Sequence, residues 1–463
     1  MGNTQHTPGF RHAFLTFFSI LLVISLGIFY LKTSLHSLLL IALIIASVSA
    51  LPLAHYRFAA IRKAMNSGIS NAFSAIYIFI LIGVLIAAFI QSGTIATLIY
   101  YGTEMISPVY FLPAGLLLCS IMAVATGTSW GTVATAGVVL MGIGSAMGIP
   151  LPLVAGMVIS GASFGDKMSP VSDTTNLAAM SAKVKLNEHI KSMSYTTAPT
   201  YLLVLLLFTY LGLQYSDTAL PVDRLTELQD AITSVYNINL LTLLPLLIML
   251  ILSTLRFSAE PVMMLSVIAA VILALILQDK ELSTVLTSLY SGEVHHSGLK
   301  SLDDLLSRGG IGSMMWTLSL ALIALALGGV LSHFGFLRVL VLGFIKKISK
   351  PATLISVTIF SCFFGNITMA EAYLSIILGG HLFGHAYDKL KTSRLTLSRS
   401  LEDGATLTAG LIPWTTGGAF FASALGVPVL DYAPYALLNW MNPLISILLS
   451  YMGLALFREK VKD

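Results

Sequence analysis

Only 10% of the 463 residues are Asp, Glu, Lys or Arg, against 56% hydrophobic residues, far below the roughly 25% charge of soluble domains. The formal net charge of +4 is small and sits mostly in loops, which argues against nucleic-acid binding. Cys119 and Cys362 lie far apart inside apolar runs, so neither a disulfide framework nor a thiolate metal centre is expected.

The first apolar run, AFLTFFSILLVISLGIFYL, follows Arg11 and His12 and ends without a small-x-small cleavage site, so it reads as a retained helix. The opening MGNTQH departs from the myristoylation pattern because position 6 is His. IYIFILIGVLIAAFI, YLLVLLLFTYLGL and LLTLLPLLIMLIL follow in turn. Each approaches or reaches the ~20 apolar residues that span a ~30 Å hydrocarbon core. None alternates in polarity as the strands of a membrane barrel do. The expected fold class is an all-α polytopic membrane protein of about 12–14 transmembrane segments.

Loop charge then orients the chain. Arg57, Arg62 and Lys63; Lys183, Lys185 and Lys191; Lys346, Lys347 and Lys350; Lys389, Lys391, Arg394 and Arg399; and Arg458, Lys460 and Lys462 mark cytoplasmic loops. Residues 214–237 carry Asp217, Asp223, Glu227 and Asp230 against Arg224, and residues 279–310 are long and mixed, so both are placed outside. Both termini are expected in the cytoplasm.

The two halves echo each other. IAAFIQSGTIATLI matches LGGVLSHFGFLRVL, Pro108 matches Pro351, and ATGTSWGT matches FFGNITMAEA. SDTTNLAAMSA (172–182) pairs with PWTTGGAFFAS (413–423) through a shared Thr-Thr. Loop charges run residues 70–92 outward and 311–334 inward, so the repeats are inverted. The expected organisation is two leading helices (1–69), repeat 1 (70–213), external loops with two linking helices (214–310) and repeat 2 (311–463).

Each repeat holds two apolar segments broken by small and oxygen-bearing residues. These are Thr126–Thr132, with Thr128 and Ser129, and Gly165–Asn176; then Gly365–Glu371, with Asn366 and Thr368, and Glu402–Thr416. Gly and Pro there favour unwound backbone, tolerated at membrane depth only where protein or a water-lined cavity satisfies the freed carbonyls. Unwound carbonyls with Thr, Asn and Asp oxygens suit a hard cation. A carboxylate at this depth costs at least ~2.5–3.5 kcal/mol on insertion scales, which marks Asp166, Asp173, Glu371, Glu402 and Asp403 as functional candidates. Thr174, Thr175, Asn176, Thr415 and Thr416 complete the set. Burial raises a carboxylate's proton affinity and a bound cation lowers it, so one such group can exchange a proton for a metal ion.

GASFGDKMSPVSDTTNLAA resembles the signature of the NhaC family of sodium/proton antiporters, and SRSLEDGATLTAGLIPWTTGGAFFASALGV resembles that family's C-terminal motif. The likeness runs from about residue 10 to 457. It implies the ion-transporter fold: two inverted repeats, each with a re-entrant hairpin and a broken helix meeting near the midplane, with Thr126–Thr132 as a hairpin tip. It carries over Asp166, Asp173, Thr174, Thr175, Asn176, Glu402, Asp403, Pro413 and Thr415 as ion-site or gating residues. The implied activity is exchange of Na⁺ for protons by alternating access in a bacterial inner membrane, with no cofactor, no nucleic acid and a homodimer as one arrangement. The family also includes malate/lactate exchangers and amino-acid carriers. Gly404, Ala405, Ala409 and Gly410 are small for the family and leave room for a larger solute.

Blander readings compete at each position. Thr in membrane helices ordinarily bonds its own backbone, a structural role for Asp173 or Asp166 is to neutralise Lys167, and one for Glu402 or Asp403 is a salt bridge with Arg394 or Arg399. His381 and His385, four residues apart, lack a third zinc ligand in sequence. GTSWG and GASFG both match G-x-S-x-G, the pattern of a serine hydrolase, which within a membrane would use Ser129 or Ser163 with His333 or His381, but the strand-turn-helix context that motif needs is missing from the sequence.

Overall fold

The computed structural model describes residues 7–457, apart from 71–72, 106, 216–221, 256, 294–302, 304–305, 308 and 346–347. Asp217, Lys346, Lys347, Arg458, Lys460, Lys462 and the opening MGNTQH lie outside the described residues. None of the described residues forms a β-strand. Among the described residues, seven helices are individually long and apolar enough to cross a membrane, including Phe10–Phe29, Leu186–Leu213, Ala259–Leu277 and Gly310–His333. Two more spans exist only as bent pairs, Ile76–Gln91 with Thr94–Gly102 at 67° and Gln229–Val235 with Leu240–Thr254 at 85°. The protein is an all-α polytopic membrane protein in which breaks shorten several of the segments that hydropathy counts.

The breaks recur in register. Helices Pro108–Thr126 and Pro351–Met369 each hold 19 residues and each begin on a proline, whose fixed φ suits the first helical position. Each ends on a left-handed residue, Gly127 (φ 72°, ψ 18°) or Ala370 (φ 57°, ψ 13°). The next residue reverses the chain: Thr128 at φ −145°, ψ 126° and Glu371 at φ −145°, ψ 125°. Further on, Ser172 and Thr415 cap the ten-residue helices Asp173–Ala182 and Thr416–Leu425, their hydroxyls accepting from the Thr175 and Gly418 amides. Both short helices end left-handed, at Lys183 and Gly426. Every one of these pairs is separated by the same 243 residues.

That register corrects the sequence alignment. Ser172 answers Thr415, so Thr174 and Thr175 lie two positions beyond the residues that Thr415 and Thr416 match. Ser and Thr are interchangeable as helix caps, and capping, not the identity of a Thr-Thr pair, is what the fold repeats.

The short half-helices exchange partners between repeats. Ala178 and Ala182 join the apolar cluster of Ile376 and Phe383 in the second hairpin. Phe420, Phe421 and Leu425 join that of Val133, Val138 and Leu140 in the first. The leading helices Phe10–Phe29 and Leu35–Ala50 pack with Gly310–His333 in a separate cluster. Phe58–Ser70 meets Gly310–His333 so closely that a Cβ on Gly68 would lie 2.2 Å from the Leu325 carbonyl oxygen, the small-residue contact that drives helix association in lipid.

Candidate functional site

The two broken helices meet through charge. Leu151–Met168 places Asp166 and Lys167 in its last turn. In the second repeat the helix begun at Arg394–Leu401 widens into a π turn, Glu402–Thr406, before Leu407–Ala409. The extra residue in that turn lets the adjacent acids Glu402 and Asp403 both face protein, and both are fully buried. Lys167 Nζ donates to Asp403 Oδ1 with neither side chain exposed. Asn442 Nδ2, on the last long helix, donates to the same oxygen at 2.7 Å. Arg399, also fully buried, lies within electrostatic range of Asp403 and donates through Nη1 to the Ala455 carbonyl at 2.9 Å. Arg394, an alternative partner for these acids, is instead held by Asp388 at 2.6 and 2.8 Å.

Asp166 is the most elaborately held acid. Ser129, at the tip of the first hairpin, donates to its Oδ2 at 2.6 Å, and Ser172 donates to its Oδ1 at 2.6 Å. Thr174 lies 3.1 Å from the Ser172 hydroxyl. Glu402 lies within electrostatic range of Asp166, Lys167 and Asp403. Neither of its carboxylate oxygens reaches a donor, and the Thr406 hydroxyl beside it falls short of hydrogen-bond geometry. Asp403 Oδ2 and the Oδ1 atoms of Asn366, Asn439 and Asn442 are likewise buried and unpartnered among the described residues. Unpaired buried oxygens of this kind cost about 1–3 kcal/mol each unless a cation or water answers them.

Other candidates separate by role. Asp173 is exposed at the start of its helix, facing Glu260 across electrostatic range. Thr175 donates to the Lys167 carbonyl at 3.0 Å, and Asn176 to the Ser172 and Pro170 carbonyls at 2.8 and 3.1 Å, so both seal their own break. Thr415 does the same through the Ala409 and Ile412 carbonyls, while Thr128 caps the hairpin return and Thr368 bonds back to Phe364. Glu371 is buried apart from the central cluster: Thr416 donates to its Oε2 at 2.7 Å and the Tyr373 amide to its Oε1 at 3.4 Å. Asn366 spends its amide on the Ala405 carbonyl and Thr408.

The room expected around Gly404 and Gly410 is filled. A Cβ on Gly404 would lie 2.5 Å from the Ile359 carbonyl oxygen, and one on Gly410 would lie 2.9 Å from the Phe421 ring. These small residues admit neighbouring helices, not solute. Among the described residues, no histidine bonds either serine: Ser129 donates to Asp166, and Ser163 accepts from Asn439 Nδ2 at 3.0 Å. His381 and His385 are exposed, and among the described residues no third ligand joins them.

Sequence reasoning passed over Asn439 and Asn442, although two amides three residues apart in LLNWMNP, inside an otherwise apolar helix, are the signal that polar groups at depth supply. It also left Ser172 among a run of hydroxyls without singling it out.

The sequence matches the Na⁺/H⁺ antiporter family over residues 11–174 and again over 161–454. The chain belongs to the Na⁺/H⁺ antiporter family. It is 38% identical over 439 residues to the Na(+)/H(+) antiporter NhaC of Alkalihalophilus pseudofirmus, covering 95% of this chain and 94% of that protein. Other relatives are named for different cargo. One is the malate-2H(+)/Na(+)-lactate antiporter of Bacillus subtilis, 37% identical over 86% of this chain and 85% of its own. Another is the arginine/ornithine antiporter ArcD of Halobacterium salinarum, 32% identical over 99% and 95% respectively.

Proposed function

We propose that this antiporter exchanges Na⁺ for protons at the cluster between the two broken helices. The observation that carries the reading is a charge imbalance. Asp166, Glu402 and Asp403 face Lys167 and Arg399, all at most 8% exposed, so the cluster holds one acid more than it has cations. Leaving a charge uncompensated at this depth is strongly unfavourable, and one proton or one Na⁺ supplies what is lacking. Asp166 with the Ser129, Ser172 and Thr174 hydroxyls offers hard oxygens, and each hydroxyl can turn its lone pairs toward a cation or its proton toward the carboxylate. Lys167 and Asn442 hold Asp403 in place. The crowding around Gly404 and Gly410 favours a bare ion over a carboxylic or amino acid.

The basic segments at Arg57–Lys63, Lys183–Lys191 and Lys389–Arg394 support cytoplasmic placement of those segments and both termini, in a bacterial inner membrane; Arg399, expected with them, is instead buried beside Asp403 and drops out of that count. With that orientation the two sets of repeated elements run in opposite senses, the arrangement that alternating access uses. The test is reconstitution into liposomes with an internal pH-sensitive dye. Na⁺ alone should change the internal pH; a pH change that appears only with malate, lactate or an amino acid present rejects the reading in favour of solute transport.

A further inference from the structure

Beyond the last helix, Leu437–Tyr451, residues 453–457 turn back through two left-handed positions, Gly453 (φ 75°) and Ala455 (φ 55°), the second one that a residue with a Cβ rarely adopts. Three contacts hold this strap in place. The Ser393 amide, at the start of the helix that carries the buried acids, donates to the Phe457 carbonyl at 2.8 Å. The Phe457 ring meets Tyr195 edge-on, with centroids 5.1 Å apart and planes at 82°. Arg399 Nη1 donates to the Ala455 carbonyl at 2.9 Å.

Arg399 has a nearer candidate partner. Asp403 stands four residues on, the helical spacing at which Arg and Asp ordinarily pair. Among the described residues the two form no ion pair, and Lys167 takes Asp403 Oδ1 instead. What is left over is complementary: Arg399 Nε and Nη2 and Asp403 Oδ2 are all buried without a partner among the described residues. Asp403 on its own helix, Tyr387 on Ala372–Lys389 and His189 on Leu186–Leu213 lie within electrostatic range of Arg399. Of the other helices packed on Arg394–Leu401, Pro351–Met369 carries no charged residue, and the one charge on Asp173–Ala182 is exposed.

We propose that Arg399 is a positioning residue of the exchange reaction, held back from Asp403 by residues 453–457, and that this restraint sets how tightly the central cluster holds its cation. The proposal rests on the reading of that cluster as the Na⁺ and proton site. A guanidinium stays charged throughout, and its planar fork suits the free carboxylate oxygen. Released from Ala455, it would bring its charge closer to Asp403 and Glu402 and weaken the hold on Na⁺ and on a proton alike. Because the two ions carry equal charge, the loss is equal for both. The apparent KM for Na⁺ then rises at alkaline pH, where protons do not compete, and rejoins that of the unsubstituted protein at acid pH, where weaker proton competition cancels weaker Na⁺ binding.

The test compares variants that break the strap with variants that keep it. Ala455→Pro cannot make the turn, because its ring fixes φ near about −65°, whereas Ala455→Gly can. Phe457→Ala removes the ring contact with Tyr195, and Phe457→Tyr keeps it. Na⁺-driven currents of the full chain on a solid-supported membrane are followed across pH. Ala455→Pro and Phe457→Ala should each raise the alkaline KM about tenfold, the low end of what a charge brought within ~4–6 Å does to a carboxylate. Their maximal rates should hold and their KM values should converge with the unsubstituted protein at acid pH, while Ala455→Gly and Phe457→Tyr should match it throughout. Melting in detergent gives a second readout that needs no transport. Ala455→Pro should lower the melting temperature of the unsubstituted protein, but lower it less, or raise it, in Lys167→Met, where the released Arg399 takes over Asp403. An alkaline KM unchanged in both strap-breaking variants, a KM raised equally at every pH, Ala455→Gly behaving as Ala455→Pro, or equal melting losses in the two backgrounds overturns the proposal. Absence of Na⁺-driven current from the unsubstituted protein would count against the exchange reading instead, and the melting comparison would still decide whether the strap restrains Arg399.

Discussion

Lys167, in the last turn before the break of one repeat, and Asp403, in the π turn of the other, form an ion pair with no exposed surface. Removing one partner of such a pair leaves a buried charge uncompensated and costs about 3–5 kcal/mol, whereas replacing both with apolar residues of similar volume is often neutral. Asp403→Leu and Lys167→Met should therefore each lower thermal stability in detergent strongly, and the double variant should recover much of the loss. Additive effects in that cycle would show that the two side chains do not depend on one another.

Between the two acids of the first motif, burial and hydrogen bonding favour Asp166 over Asp173. Asp166→Asn should abolish Na⁺-driven pH change in proteoliposomes at preserved expression. Ser129→Ala and Ser172→Ala should weaken apparent Na⁺ affinity by about 10- to 100-fold, the range seen when groups that orient a metal ligand are removed. Asp173→Asn, exposed beside Glu260, should change Na⁺ affinity modestly and leave exchange in place. An inactive Asp173→Asn alongside an active Asp166→Asn would reverse the assignment.

Much of this was legible in the sequence, for a physical reason. Carboxylates and hydroxyls are so costly in hydrocarbon that their clustering at Asp166–Asn176 and Glu402–Thr416 already located both breaks, and the match of Pro108 with Pro351 already aligned the starts of two repeated helices. What stayed hidden depends on contacts that sequence does not order. The partner of Asp403 lies in the other repeat, while Arg399 and Arg394 stand closer along the chain and look equally suitable. The π turn that buries Glu402 and Asp403 together leaves no residue signature, because it is one extra residue within a helix. Gly404 and Gly410 read as free volume, since a missing side chain looks the same whether a solute or a neighbouring helix occupies the space.

The hairpin tips make opposite demands of similar residues. Gly127 and Ala370 share a left-handed conformation, which costs a residue with a Cβ about 1–2 kcal/mol. Gly127→Ala adds that strain and brings the new Cβ within 2.6 Å of Val171 Cγ2. It should lower the melting temperature and weaken Na⁺ affinity through displacement of Ser129. Ala370→Gly relieves the same strain and gives back part of the gain through unfolded-state entropy, leaving it neutral or stabilising by up to about 1 kcal/mol. Melting curves of the two variants in one detergent decide this, and equal losses from both would mean that the shared conformation is not what limits either tip.

The charge imbalance has a kinetic signature. If the central cluster lacks one positive charge, H⁺ and Na⁺ are alternative occupants and not joint ones. Lowering the pH should then raise the apparent KM for Na⁺ by about tenfold per unit below the site's pKa and leave the maximal rate nearly unchanged, as for any competing ligand. Glu371 provides the contrast, because its carboxylate is held by Thr416 and the Tyr373 amide and, among the described residues, forms no ion pair. Were it the proton carrier, protonation would act through conformation, altering the maximal rate while Na⁺ affinity stayed constant. Glu371→Gln should accordingly preserve the slope of KM against pH, and Glu402→Gln, which removes the surplus negative charge, should flatten it. Transport currents on a solid-supported membrane across pH and Na⁺ concentration measure both quantities. A KM that is flat in the unsubstituted protein from about pH 6 to 9, the range a buried carboxylate can reach, would reject competition at the cluster and move the proton to Glu371.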